Sequence, residues 1–71
     1  MANYIKRLAG IKQDWTTTQQ GSKVRKGYLD CGLTVYSSEK TEERTGYKPM
    51  PGDMVEIATT PGGWAYIVDK F

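Results

Sequence analysis

The chain contains no histidine, and Cys31 is the single cysteine among its 71 residues. Without histidine it lacks the side chain that most often acts as a general base near neutral pH. A lone cysteine forms no disulfide within the chain and is compatible with a reducing compartment. Because no residues stand at the spacing of metal ligands, the sequence predicts neither a metal site nor a bound cofactor.

Long apolar segments are also missing. The N-terminal residues show no apolar stretch of signal-peptide length, and no segment is long enough to cross a membrane. The sequence therefore predicts one cytoplasmic domain over residues 1–71, with no membrane partner. In a chain of this length the hydrophobic core supplies a net stability of only about 3–5 kcal/mol. Self-association into a homodimer or a ring is one way to increase that stability.

The remaining reactive groups do not form a catalytic set. Cys31 has no histidine to activate it and occupies an apolar position of an alternating pattern, which predicts a small buried side chain. Glu42 and Glu43 fall in a charged stretch that we expect to be solvated. Gly62 and Gly63 are not followed by the lysine and helix of a phosphate-binding loop. We therefore expect a protein without catalytic activity.

The net charge of +2 conceals a difference between the two parts of the chain. Residues 1–28 carry six basic side chains and one acidic, whereas residues 29–71 carry four basic and seven acidic. A basic segment is typical of proteins with a negatively charged partner such as nucleic acid. The alternative is that folding interleaves the two parts and evens out the surface potential.

Residues 3–15 allow two secondary structures. Apolar side chains recur there at the spacing of one helix face, namely Tyr4, Leu8, Ile11 and Trp15. Asn3 would cap such a helix, but Gly10 would lie inside it at a cost of about 1 kcal/mol. We favour a strand over Tyr4–Ala9, a bend at Gly10 and a second strand, because the rest of the chain shows β patterns.

The middle of the chain predicts two β elements. Trp15 and the threonines after it, a turn at Gln20–Ser22 and a return over Lys23–Lys26 indicate a hairpin. The stretch YLDCGLTVYSS, residues 28–38, alternates so regularly that it predicts one strand, with Gly32 at a bulge, a bend or a close approach. Its predicted inward residues are Leu29, Cys31, Leu33 and Val35.

A charged stretch separates this strand from the end of the chain. Ser38 is placed to cap a short helix that runs through Arg44, and Gly46 would end it. Because this stretch has no apolar face, the helix would lie on the surface.

The last segment predicts a hairpin. Pro61-Gly62 fits a type II turn, and Gly63 fits the bulge after it. Val55 and Ile57 should face the core, because burying Glu56 between them is costly. An apolar outer face would remain, made of Met54, Trp64, Tyr66 and Val68. The alternative places Trp64 and Tyr66 in the core, since tryptophan is highly buried on average.

The closing segment also resembles a known family. The spacing of its glycine, aspartate and β-branched residues is similar to that of SH3-like barrels, including the KOW segments of ribosome- and RNA polymerase-associated proteins. The matching positions are Gly52, Asp53, Val55, Ile57, Gly62, Gly63, Ile67 and Val68. The resemblance implies a small barrel more than it implies RNA binding, because Glu56 and Asp69 stand where nucleic-acid binders often carry basic residues. We predict a mostly β fold, an SH3-like or related small barrel of about five short antiparallel strands, with or without one short helix.

Two binding functions fit this picture. The favoured one is nucleic-acid binding, in which basic side chains neutralise phosphates and aromatic rings such as Trp64 and Tyr66 stack on bases. Its further predicted contacts are Lys6, Arg7, Lys23, Arg25, Lys26 and Tyr28. The second is a host protein as partner, bound through Met54, Trp64, Tyr66 and Val68. As a short single domain without a catalytic set of residues, the chain is similar to small phage or plasmid proteins that inhibit or adapt a host factor.

Overall fold

Six strands and one helix make up residues 3–71, the part of the chain that the computed structural model describes. The elements are β1 (Tyr4–Ile11), β2 (Thr16–Thr17), β3 (Lys23–Leu29), β4 (Thr34–Ser38), α1 (Glu39–Thr45), β5 (Met54–Thr59) and β6 (Ala65–Lys70).

Five of the strands close into a barrel. The sheet runs in the order β1, β5, β6, β4, β3, and β1 also pairs with β3, so that the sheet meets itself; β2 pairs with the first residues of β3. The predicted mostly β barrel with one short helix is confirmed. All pairs are antiparallel except β4 with β6, which run parallel with Tyr36 opposite Tyr66.

The first strand closes the barrel, and it is a strand throughout rather than a helix. At the predicted bend, Gly10, the strand continues, and the register shifts between Leu8 and Gly10, a β-bulge that brings Gly10 opposite Tyr28. A Cβ atom on Gly27 would lie 2.8 Å from the carbonyl oxygen of Gly10, and one on Gly10 would lie 2.7 Å from the Tyr28 ring. Glycine at position 27 therefore lets the backbones of β1 and β3 approach this closely, and glycine at position 10 leaves room for the Tyr28 ring.

The prediction of one continuous strand over residues 28–38 is wrong. The chain turns after Leu29, where the amide of Gly32 donates to the Leu29 carbonyl at 2.8 Å and the amide of Leu29 donates to the Leu33 carbonyl at 2.9 Å. Gly32 has a φ of +89°, which only glycine adopts readily. Cys31, predicted to be buried, is therefore exposed at a hairpin tip.

All three hairpins use the same turn. The amide of a glycine with positive φ donates to the carbonyl three residues earlier: Gly21 to Thr18, Gly32 to Leu29, and Gly63 to Thr60. This is the three-residue hairpin loop with a glycine bulge. The type II turn predicted at Pro61-Gly62 is wrong, because it needs a positive φ at Gly62, and Gly63 takes that conformation instead. The predicted bulge at Gly63 is confirmed.

The core lies inside the barrel. It contains the two residues predicted to point inward from β5 and is made of Leu8, Leu29, Val35, Val55, Ile57, Ala65 and Ile67. A register shift at Glu56–Ile57 places Asp69 directly opposite Glu56. The shift therefore moves Asp69 out of the inward series to which Ala65 and Ile67 belong.

The helix begins after Ser38 and ends before Gly46, close to the predicted bounds, and none of its residues is buried. Gly46 adopts a left-handed conformation, and Ser38 occupies the N-cap position without a side-chain capping bond. Within residues 3–71 there is no helix with the length and apolar character needed to cross a membrane.

After the helix, Tyr47 fixes the approach to β5. Its hydroxyl donates a 2.6 Å hydrogen bond to Asp53. Burial, together with this bond and the negative charge of Asp53, raises the pKa of Tyr47 above its ordinary value, so the hydroxyl stays protonated.

The turn geometry of the closing hairpin makes a prediction about two neighbouring glycines. Gly63→Ala should lower the free energy of unfolding by about 1 kcal/mol, because alanine resists positive φ and no neighbour compensates. Gly62→Ala should change it by less than about 0.5 kcal/mol, since its Cβ would meet only an exposed Trp64 ring atom at 3.3 Å. Urea unfolding of both variants measures the two values, and the opposite order would indicate a type II turn.

Candidate functional site

Four aromatic side chains lie on the outer surface of three adjacent strands. We call this set the aromatic strip: Tyr28 on β3, Tyr36 on β4, Tyr66 on β6, and Trp64 directly before β6. They alternate with buried neighbours such as Val35, Ala65 and Ile67, which directs them away from the core. Tyr36 stands opposite Tyr66 on one side and Lys26 on the other.

Three of the four rings of the strip contact one another. The Tyr36 ring lies 5.1 Å from Trp64 at an interplanar angle of 64°, and 6.0 Å from Tyr66 at 45°. Such tilted and edge-on contacts are favourable for aromatic pairs. The amide of Trp64 also donates to the Thr60 hydroxyl at 3.2 Å. The strip is therefore organised before any ligand arrives.

Trp64 is 52% exposed, so it belongs to the surface and the alternative that it lies in the core is wrong. Tyr66 is half-buried beside it. The other two members of the predicted outer face lie elsewhere. Met54 is at the opposite end of β5, across from Arg7, and Val68 borders a small cavity together with Thr41 and other residues of α1. The four residues do not form one patch, because Trp64 and Tyr66 lie near the tip of the β5–β6 hairpin, whereas Met54 and Val68 lie towards its other end.

The predicted basic contacts divide into groups. Lys26 is exposed within the strip, and Lys23 is exposed at the start of the same strand. Lys12 lies next to Lys26, since its amide donates to the Lys26 carbonyl at 2.9 Å. Lys6 and Arg7 are exposed on the part of β1 that pairs with β5 instead of β3, away from the ring of Tyr28.

Arg25, predicted to contact phosphate, is buried, with 7% of its surface exposed. Alternation along β3 turns it to the same face as Gly27 and Leu29. Its guanidinium lies 4.1 Å from the centre of the Trp15 ring, donates to the Gln13 side chain at 3.1 Å, and has Nε 3.4 Å from a Glu42 carboxylate oxygen. Arg25 therefore attaches the helix and the segment before β2 to the barrel. Buried in this way, its guanidinium offers little surface to the phosphate that it was predicted to contact.

Three glutamates of α1 share the lining of one cavity with Lys48. Glu39, Glu42 and Glu43 line this cavity of about 380 Å³ together with Trp15 and Tyr47. The Glu42 carboxylate also accepts a hydrogen bond from the Ser37 hydroxyl at 2.7 Å. Within residues 3–71, no three His, Cys, Asp or Glu side chains are grouped so that they could hold a metal ion.

The sequence analysis missed Tyr36, which is the centre of the strip. Its position between the inward residues Val35 and Ser37 was a usable signal, but the strand that would place it beside Trp64 and Tyr66 runs parallel to β6. Nothing in the local pattern of either segment indicates that pairing.

Comparisons with family models, with curated proteins and with solved structures found no match for this chain. The SH3-like resemblance of residues 51–71 stays a prediction. The class that the structure defines is a small closed β-barrel with an organised aromatic surface, and the function must be argued from that surface.

The contrast between Arg25 and Lys26 is testable. Arg25→Met should lower the free energy of unfolding by about 3 kcal/mol, because it leaves the largely buried Glu42 without its cation. Lys26→Met is the matched control and should stay within about 0.5 kcal/mol of the wild type, because its side chain is exposed. Urea unfolding gives both values, and an equally small effect at both positions would contradict the structural role of Arg25.

Proposed function

We propose that this protein is a non-catalytic binding module that holds single-stranded nucleic acid on the aromatic strip. The observation that carries the proposal is the alignment of two exposed rings, Tyr28 and Trp64, with the half-buried rings of β4 and β6, and with lysines beside them. Tyr28 and Trp64 are each about half exposed at the two ends of the strip, and Tyr36 lies between them.

The chemistry of the strip favours unpaired bases. An exposed ring stacks on a nucleobase for about 1–3 kcal/mol per base, almost independently of sequence. In a duplex the bases stack on each other, and their faces are not available. Lys26 stands opposite Tyr36 in register, with Lys12 next to it, so that phosphates next to stacked bases would meet positive charge.

The strand connections provide an architectural analogy. The OB-fold is also a five-stranded Greek-key barrel, and its members bind oligonucleotides on a sheet face. Architecture alone does not imply function, so the residues of the strip remain the basis of the proposal.

A second candidate is a protein partner. A half-exposed tryptophan at a hairpin tip, supported by two tyrosines, has the composition of an interface hot spot. The partner would be a host protein that this chain inhibits or adapts, or a second copy of the chain. The separation of Met54 and Val68 from Trp64 reduces the apolar surface that such a partner would cover.

The test is fluorescence anisotropy of a labelled single-stranded oligonucleotide, titrated with the protein at several salt concentrations. We expect binding that weakens as salt rises, by about 0.7 logarithmic units of affinity per tenfold salt for each phosphate contact. Trp64→Ala and Tyr36→Ala should each weaken binding about tenfold, because each removes one stacking surface. Phe71→Ala is the control, since Phe71 is an exposed aromatic residue outside the strip.

Two results would reject the nucleic-acid proposal. One is the absence of binding at low salt, and the other is an affinity that Trp64→Ala changes no more than Phe71→Ala does. Capture of a purified protein partner that depends on Trp64 and is insensitive to salt would support the second candidate.

A further inference from the structure

A groove of about 490 Å³ lies beside Tyr28, over the paired ends of β1 and β3. Ile11 and Pro51 contribute apolar surface to the groove. Tyr28, a member of the aromatic strip, and Thr34 form the side of the groove that is continuous with the strip. Lys12 and Lys26 each contribute an ammonium group. The volume lies within the range of about 300–1,000 Å³ that is usual for small-ligand sites.

The Tyr28 ring is held in a defined position along this groove. It lies directly over Gly10, where the missing side chain leaves the room that the ring occupies: a Cβ atom there would come within 2.7 Å of the ring. More than half of the Tyr28 surface is nevertheless exposed. The backbone of β1 thus supports the ring, which still presents surface to a planar ligand.

Charge in the groove has one sign. The backbone hydrogen bond between Lys12 and Lys26 places the two lysines side by side on adjacent strands. Both side chains are exposed, and within residues 3–71 neither takes part in a salt bridge. None of the residues that line the groove is acidic. Two unpaired ammonium groups beside an aromatic wall match a planar ring that carries a phosphate.

We propose that this groove binds one nucleotide unit, with its base against Tyr28 and its phosphate between Lys12 and Lys26. The inference rests on the proposed function, because a strand stacked on Trp64 and Tyr36 would enter the groove past Thr34, which stands opposite Tyr28. The groove would also bind a free nucleoside monophosphate, so the inference can be tested separately from oligonucleotide binding.

The experiment is an NMR titration of the isotope-labelled protein with adenosine monophosphate, adenosine and inorganic phosphate in parallel. Adenosine monophosphate should shift the amide resonances of Gly10, Lys12, Lys26 and Tyr28. Its affinity should exceed that of adenosine by about tenfold, from charge-assisted contacts to the phosphate. The double variant Lys12→Ala with Lys26→Ala should bring the two affinities together, whereas Lys23→Ala, which removes a lysine outside the groove, should leave them apart.

A second pair of variants tests the base. Tyr28→Ala should abolish the shifts caused by adenosine monophosphate, and Tyr28→Phe should retain them, because stacking needs the ring and not the hydroxyl. The dispersion of the amide spectrum shows that each variant is folded.

Three outcomes would overturn the inference: no shifts in the groove, shifts of equal size with inorganic phosphate alone, or an affinity that the double lysine variant does not change. If oligonucleotide binding depends on Trp64 while the groove stays silent, the proposed function stands without this inference. Nucleotide binding in the groove without oligonucleotide binding on the strip would show the reverse.

Discussion

The close approach of β1 to β3 at Gly10 and Gly27 closes the barrel. There the first strand leaves its pairing with β5 and pairs with β3, so that the sheet meets itself and Leu8 seals the core beside Leu29. A side chain at either glycine would collide with the Gly10 carbonyl or with the Tyr28 ring. Without this contact, β1 and β3 would be open edges of a curved sheet. The same contact supports Tyr28, and so it connects the closure of the fold to the proposed binding surface.

Burial divides the basic N-terminal part of the chain into two roles. Arg25 lies under the helix, with an aromatic ring, an amide and a carboxylate around its guanidinium. Lys26, the next residue, points out into the aromatic strip. Because side chains alternate along β3, Arg25 stabilises the fold, whereas Lys26 is exposed on the surface. Three glutamates of the helix line one cavity together with Lys48, and Lys40 and Arg44 stand on the same helix, so charges of both signs are mixed there.

The alternation of apolar and polar residues along a strand predicted correctly which side chains of the closing hairpin face the core. The inward positions of Val55 and Ile57 followed from the cost of burying Glu56, and the exposure of Trp64 followed from them. The alternating pattern predicted one strand over residues 28–38 wrongly, because the alternation continues across a turn. Leu29 and Val35 are both buried, as they would be in one strand, although the chain reverses between them at Gly32. The parallel pairing of β4 with β6 and the burial of Arg25 depend on distant segments. Tyr36 owes its place in the strip to that pairing and was missed for the same reason.

The order of pairing along the chain has a consequence for how the protein folds. Asn3, just before β1, donates a hydrogen bond to Glu56, 53 positions later, whereas β3–β4 and β5–β6 are hairpins joined by short turns. The hairpins can form early, since their loop-closure entropy is small. The Tyr4–Arg7 part of the first strand must wait for β5, although its last residues can pair with β3 earlier. Contacts this distant slow folding, and until β5 is in place the Tyr4–Arg7 edge has no partner and is open to pairing with other chains.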